Sequence, residues 1–502
     1  MTTLPDRDAF IATYAEGKPQ LVWTTLVADL ETPVSAMMKL ADGKPNSFLF
    51  ESVEGGAFRG RYSIIGLKPD LIWRCDGAVA EINREARFDA DAFVKDDKPT
   101  LDSLRALIEE CRIDIPKGLP PMASGLFGYM GYDMVRQMEH LPNDKPKPYD
   151  VPDGMFVRPT IIAVFDIIED TVTLITPARP QEGLSAELAY GQARERLSEV
   201  IDDFGRNLPF RRESGLATDT PPEPTSNTTR EEFHAMVKKA KDYILAGDAF
   251  QVVPSQRFEV PFKLPPIALY RSLRRLNPSP FLFYLDFGGF SIVGSSPEIL
   301  VRLRDETVTI RPLAGTRKRG ETPEQDVALA EELLADPKER AEHLMLLDLG
   351  RNDVGRVSQI GTVRVKGQFM IERYSHVMHI ASHVEGKIRP ELDAVDALAA
   401  GFPAGTVSGA PKVRAMEIID ELEKSRRGIY AGAVGYFSGD GAMDTCIALR
   451  TSVVKDGVMY VQAGGGVVAD SDPESEYQET ISKSRALIRA AQEAVRFAAG
   501  RG

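Results

Sequence analysis

Cysteine is nearly absent. The 502-residue chain has three, Cys75, Cys111 and Cys446, far apart and in no CxxC pair. That excludes a disulfide framework and fits a reducing compartment, so a cytoplasmic location is expected. The opening MTTLPDRDAF has no basic stretch followed by an apolar one, so no secretory leader is expected. No apolar run approaches the ~18 residues of a membrane span. Positive charge is in deficit: 61 Lys and Arg face 74 Asp and Glu, a net charge of −13. Broad nucleic-acid binding needs a basic face and is excluded. A small anionic substrate remains open if its charge is met locally.

The remainder is ordinary for a globular protein, 43% hydrophobic and 27% charged, long enough for two to four domains or two large ones. The clearest linker is the Pro-, Thr- and Ser-rich stretch from Glu213 to Thr229. It divides the chain into an N-terminal half, 1–212, and a second half, 230–498. After it, Thr229 and Glu232 stand at capping-box spacing, helical periodicity runs from Phe233 to Ile244, and Gly247 suits a C-terminal cap.

The chain also repeats itself. PNSFLFESVEGG from Pro45 is similar to PSPFLFYLDFGG from Pro278, SIIGLKPDLIWR from Ser63 to SIVGSSPEILVR from Ser291, and GLFGY at Gly125 to GAVGY at Gly432. Three matches in one order favour an ancient duplication over chance likeness of hairpins, and give two related halves. Alternating runs around Asp76-Gly77, Gly288-Gly289 and Asp456-Gly457 predict antiparallel hairpins. Helical patterns fall near 100–112, 186–203, 230–246, 323–349, 410–424 and 473–498. The expected fold is α+β: two interleaved, pseudo-duplicated halves of antiparallel sheet flanked by helices.

Two carboxylate pairs stand out. Asp336 caps a helix opened by Pro337, with Glu339 and Glu342 at i, i+3; Asp472 and Pro473 repeat the design with Glu476 and Glu479. Acidic first turns favour helix N-termini through the dipole, which explains either pair alone. Two matching pairs also suit a shared Mg²⁺ site of hard oxygen ligands. SHVMHIASHVEG carries His376, His379 and His383 on a strand pattern, with His379 and His383 on one face. Without HExxH or paired Cys, one His acting as acid or base is a better reading than zinc, and a structural His stays equally open. The small-residue loop GFPAGTVSGAPK lacks the P-loop Lys-Ser/Thr order, yet offers N–H groups and the Thr406 hydroxyl. Gly464, Gly465 and Gly466 permit close backbone approach to a ligand, with flexibility as the plainer alternative. Arg450 suits a carboxylate clamp or a plain surface position. RPLAGTRKRG, from Arg311, is a basic island that suits an anion loop or a solvated turn.

These motifs, in this order, resemble the chorismate-utilising enzymes. PLAGTRKRG, AEHLMLLDLGRND, SHVMH, GTVSGAPK, GIYAGAVGYF, MDTCIALRT and QAGGGVVADSDPESEYQE cover nearly all of residues 228–495. FLFESVEGGAFRGRYSIIG and NPSPF are similar to the anthranilate synthase component I branch. The resemblance implies a Mg²⁺-dependent reaction on chorismate: ammonia adds at ring C2, the C4 hydroxyl leaves, and pyruvate is eliminated to give anthranilate. It implies Glu342 and Glu479 as metal ligands with Glu476 in support, and Glu339 as the acid toward the hydroxyl. It implies Gly315, Thr316, Tyr430, Arg450 and Gly464 to Gly466 as the chorismate-binding set, and places His379 and Thr406 in the active site.

Branches of the family differ at readable positions. Para-aminobenzoate-forming relatives carry a nucleophilic Lys where this chain has Ala314; isochorismate- and salicylate-forming relatives carry a water-activating Lys where it has Gln251. Neither amine is available, which suits external ammonia. None of the three cysteines stands in a glutaminase elbow, so a separate glutamine amidotransferase subunit is implied. In the family, tryptophan inhibits through motifs matched by Glu51, Ser52, Pro280, Phe281 and Leu282, with Arg61 a weaker match. The first copy lacks counterparts of the acidic pairs, the triple glycine and Arg450. It is therefore expected to regulate or to scaffold. Another chorismate product, or a non-catalytic tryptophan-binding regulator, are the alternative readings.

Overall fold

A computed structural model describes residues 2–52, 61–142, 144–208, 222–374 and 377–498. His376, much of the linker and the middle of the motif after Ser52 lie outside these residues.

Two long antiparallel strands, Tyr62–Asp76 and Gly154–Asp166, pair along their length and organise the sheet. One end of this pair continues through Ser47–Glu51, Phe281–Asp286, Ser291–Ser296, Thr451–Lys455, Val458–Gly464 and Ser255–Pro261. The other end continues through Gly125–Met130, Ala433–Ser438, Met443–Ile447, Ile299–Arg304, Thr307–Ile310 and Val377–Lys387. Leu313–Lys318 and Arg364–Arg373 pair with Val377–Lys387. Each run passes from a first-half strand directly into second-half strands, so the two halves share one sheet.

Strand periodicity sorts the side chains between cores. Phe48, Ile64, Ile72, Phe127, Phe283 and Val453 meet in one cluster shared by both runs. Their neighbours Leu49 and Ile65 face a second cluster with the helices Ala186–Phe204, Pro266–Leu276 and Pro473–Ala498. Leu71 and Trp73 face a third, with Thr100–Glu110, Pro337–Val357 and Ala394–Gly401.

The repeat is visible as symmetry. Phe50 pairs with Phe283, and Gly128 with Gly435. The motif alignment makes each of these a residue meeting its own counterpart. Antiparallel pairing centred on equivalent residues is the signature of a local two-fold axis.

Helices follow their signals. Thr229 and Glu232 close a reciprocal capping box, and Gly247 lies beyond the end with φ +89°. The pattern expected over 323–349 is two helices, Pro323–Ala335 and Pro337–Val357, because Asp336 has extended backbone and caps the second. Arg7–Ala15, Pro33–Ala41, Pro266–Leu276 and Ala394–Gly401 escaped the periodicity: none exceeds 11 residues, so few turns repeat the pattern. No helix among the described residues is long and apolar enough to cross a membrane.

Candidate active site

Two capped helices aim their first turns at one place. Asp336 Oδ1 accepts from the backbone N–H groups of Lys338 at 2.9 Å and Glu339 at 3.3 Å, which sets Glu339 and Glu342 on one face. Asp472 Oδ2 accepts from the Ser475 N–H at 2.9 Å and does the same for Glu476 and Glu479. One turn later Lys483 reaches back, 2.7 Å from Glu479 and 3.0 Å from the Gly464 carbonyl.

The triple glycine lies between these helices, and packing explains why it is glycine. A Cβ on Gly464 would stand 2.9 Å from the Tyr430 hydroxyl, on Gly465 2.9 Å from Glu476 Oε2, and on Gly466 2.7 Å from Gln251 Nε2. Gln251 Nε2 donates to Glu342 Oε1 at 3.2 Å, so one contact path joins both acidic turns through the glycines.

The opposite wall comes from the strand Leu313–Lys318. Gly315 has φ +69°, and a Cβ there would lie 3.0 Å from Glu339 Oε2. Its carbonyl accepts from His379 Nδ1 at 2.8 Å, and the Thr316 hydroxyl is 3.1 Å from the same nitrogen. Since Nδ1 donates to a carbonyl, the proton sits there and Nε2 is left as an acceptor. Burial, opposed by the Gly315 contact and helped by the Arg450 charge, lowers the imidazole to about 4. Tyr374 meets this ring edge to face at 5.5 Å.

Glu298 is the residue that motif reading missed. It lies where one strand ends at Ser296 and the next begins at Ile299, so its carboxyl is carried into the interior. Its oxygens accept from Leu313 N–H at 3.4 Å and Thr406 Oγ1 at 3.2 Å. Burial pushes it up to about 8 against the pull of these bonds, Arg450 and Lys483. Arg450, at φ +49°, is lowered by burial and feels Glu298 and Tyr374. The signal was available: a Pro-Glu step inside an otherwise apolar strand pair, within the repeat itself.

In the acidic turns Glu339 and Glu479 are ion-paired, while Glu342 and Glu476 have no ion pair among the described residues. Glu342 is raised by burial, and Glu339 and Glu479 push it the same way. Glu476 is raised by burial and by Glu479; Ser471 donates to its Oε1 at 2.7 Å, while its buried Oε2 has no partner. No preassembled cluster of three or more His, Cys, Asp or Glu among the described residues would hold a metal. Mg²⁺ does not need one, because it keeps waters and takes one or two carboxylates plus substrate oxygens. An orphaned carboxylate oxygen and a strained carboxylate are what such a cation relieves, so the donor set fits it.

Arg427 ties the pocket together from behind. Fully buried, it donates to the carbonyls of Val407 and Val253, each at 2.6 Å, and to Glu423, and its guanidinium faces the Tyr430 ring at 5.5 Å. The Thr406 loop, the Val253 stretch that leads into the glycine strand's neighbour Ser255–Pro261, and Tyr430 are thus fixed by one side chain.

Two expectations change in detail. The cations of RPLAGTRKRG are neither an anion loop nor a loose rim. Arg311 pairs with Glu372, Arg317 with Glu332, Asp336 and Glu339, and Arg319 with Asp326. Of the remaining histidines in SHVMHIASHVEG, His383 sits half-buried 3.7 Å from Glu385 and does not join His379.

A second cavity of about 230 Å³ sits on the pseudo-two-fold, with Phe50, Phe283 and Gly435 in its wall. Ser52, Arg61, Phe281 and Leu282 line it; Pro280 does not. Glu51 also borders it, but its carboxylate is bound by Tyr270 and Arg274. Arg61 lies 2.7 Å from Asp166.

Comparison with known proteins gives the family. The family described as chorismate binding enzyme matches residues 67–489. Anthranilate synthase component 1 of Cereibacter sphaeroides is 59% identical over 497 residues, covering 99% of both chains. That of Pseudomonas aeruginosa is 48% identical, covering 97% of this chain and 98% of its own. The crystal structure of anthranilate synthase component I from Streptococcus pneumoniae has a TM-score of 0.74 at 37% identity, covering 87% of this chain and 94% of that one. The menaquinone-specific isochorismate synthase of Escherichia coli, at 20% identity and TM-score 0.69, shares the fold. The chain belongs to the chorismate-binding enzyme family, in its anthranilate synthase component I branch.

Proposed function

We propose that this chain is the aminating subunit of an anthranilate synthase, converting chorismate and ammonia to anthranilate, pyruvate and water. The observation that carries the reading is a buried carboxyl, Glu298, raised to about 8, and a buried imidazole, His379, lowered to about 4, both within reach of the Arg450 charge. Two groups with pKa values pushed apart supply an acid and a base in one pocket.

Arg450 holds a substrate carboxylate that Gly464 to Gly466 let approach the backbone, the Gly465 N–H being spent on the Pro254 carbonyl at 3.2 Å, with Gly315, Thr316 and Tyr430 shaping the rest of the pocket. Hydroxide leaves C4 poorly, so it must depart as water. Glu298 holds a proton at neutral pH and is the better donor; Glu339, expected in that role, is occupied by Arg317 at 3.0 Å. Thr406 steadies Glu298. His379 Nε2 takes the ring proton as aromaticity forms and pyruvate departs. Glu342 and Glu479, with Glu476 in support, would hold Mg²⁺, which supplies positive charge for the other substrate carboxylate. Gln251 orients Glu342.

Ala314 and Gln251 present no amine, so the nitrogen comes from outside. All three thiols are buried, and burial raises them, the reverse of what a glutaminase nucleophile needs. A separate glutamine amidotransferase subunit therefore supplies ammonia, in a cytoplasmic setting suited to reduced cysteines. The pocket on the two-fold axis is read as a tryptophan feedback site between a regulatory half, 1–212, and a catalytic half, 230–498, joined by 213–229. Its aromatic wall and arginines suit an indole and a carboxylate.

Anthranilate fluorescence tests the reading. The chain with chorismate and Mg²⁺ should respond to ammonium salts alone, and to glutamine only when the partner subunit is added. Equal response to glutamine without a partner would remove the division of labour.

A further inference from the structure

The repeat gives the catalytic pocket a counterpart in the first half, and its residues can be followed one by one. The aligned motifs set Asp70 on Glu298 and Gly66 on Gly294. Gly66 and Gly294 pair with Ile162 and Thr451; the next residues, Ala163 and Ser452, pair with Leu174 and Val461. Three residues further stand Pro177 and Gly464. Helices then follow in both copies, capped by Ser185 and Asp472. At the same distance past each cap stand Arg196 and Lys483. Arg196 donates to the Pro177 carbonyl at 3.3 Å and Lys483 to the Gly464 carbonyl at 3.0 Å. Symmetry thus places a cation on the same carbonyl beside the same acid position in both halves.

The chemistry around the first-half counterpart differs. Ala189 and Gln192 stand where the second copy has Glu476 and Glu479, and the charged groups nearby are arginines. Arg158 forks onto Asp70 at 2.8 and 3.1 Å and reaches Glu110 at 3.3 Å. Arg179, two residues past Pro177, bonds the Glu110 and Cys111 carbonyls at 3.2 and 3.0 Å, and its buried Nε has no partner. Arg196 also bonds Thr176 Oγ1 at 2.9 Å. Among the described residues neither Arg179 nor Arg196 has a carboxylate partner. Glu110 is shared with Arg84, and Lys68 is answered by Glu199 at 3.1 Å. Burial lowers both Arg179 and Arg196, and the charges of Arg158 and Arg87 add to it.

We propose that Arg179 and Arg196, with Arg158 behind them, form a binding site for a small dianion in the first half. Two desolvated guanidiniums with no direct ion pair, sharing an Asp70 that Arg158 already clamps, are costly, and a dicarboxylate or inorganic phosphate supplies further negative charge with matched acceptor geometry. Both arginines give donors to backbone carbonyls, but Arg179 keeps a buried N–H unspent and neither residue has a direct ion pair among the described residues. The site rests on strand pairing and contacts, independently of the catalytic reading.

Isothermal titration of the full chain with succinate and, separately, inorganic phosphate tests it and distinguishes the two. Saturable binding of at least one should persist in Arg450→Met, which removes the second-half clamp. It should weaken roughly tenfold or more in Arg179→Met and in Arg196→Met, as loss of a charged hydrogen bond predicts, with partial rescue in Arg196→Lys. Binding lost in Arg450→Met but unchanged in Arg179→Met would place the anion in the catalytic pocket and overturn the proposal. Hydrogen exchange on the unmodified chain reads the site without mutation. Added dianion should slow exchange in Thr171–Ala178 and Ala186–Phe204. No protection there at saturating dianion would also overturn it.

Discussion

The two halves share a scaffold and differ in what they do with a buried carboxyl. In the second half Glu298 has no ion-pair partner among the described residues and is raised to about 8. In the first, its counterpart Asp70 is clamped by both arms of Arg158. One arrangement keeps a proton available, and the other neutralises the charge for good. The same contrast recurs one layer away, where Lys483 pairs with Glu479 while Arg196 has no ion-pair partner among the described residues. In the proposed mechanism only the second copy transfers protons, because its acid is left without a clamp.

The comparison is broken most directly by making the same change in both copies. Glu298→Gln should lower the ammonia-dependent rate by about 10²–10⁴-fold, the worth of a positioned acid. Asp70→Asn should leave that rate within about twofold, because no reacting group is near it; equal losses in paired steady-state assays would deny the division.

Arg450→Met should come next, weakening chorismate binding by ~2–5 kcal/mol as a buried carboxylate loses its cation. Fluorescence titration would show it; unchanged affinity would place the carboxylate elsewhere.

The pH profile sharpens the assignment. An acid raised to about 8 is protonated below that pH, so kcat should be flat through neutrality and fall above about 8, and Glu298→Gln should lack that limb. The sign for stability follows from the same shift. The folded state holds a proton that the unfolded carboxyl, near 4.5, releases. Stability from Glu298 is full below 4.5 and is lost as pH rises toward about 8, so the Gln variant should gain relative stability in alkaline melts.

Ser52→Phe should have the smallest effect on catalysis and a large one on regulation. It fills the cavity on the two-fold axis, so tryptophan binding should vanish while turnover stays within about twofold. Calorimetry with tryptophan reads this, and undiminished affinity would move the effector out of that cavity.

Much of this was legible in the residues. Capping signals at Thr229, Asp336 and Asp472 placed three helices, and the acidic pairs followed from their spacing. The repeat was visible as short motifs, which the pairings Phe50 with Phe283 and Gly128 with Gly435 turn into symmetry. Glu298 was visible only as a Pro-Glu step in the repeat; its raised pKa was not, because it depends on burial by strands from distant parts of the chain. The arginines of the basic island looked free because their partners, such as Glu372, Glu332 and Asp336, come from segments that only folding brings near.

Identification of the product is the most direct measurement. The isolated chain, given chorismate, Mg²⁺ and an ammonium salt, should yield anthranilate and pyruvate in equal amounts by chromatography. Accumulation of isochorismate, salicylate or a para-amino product under the same conditions would contradict the assignment.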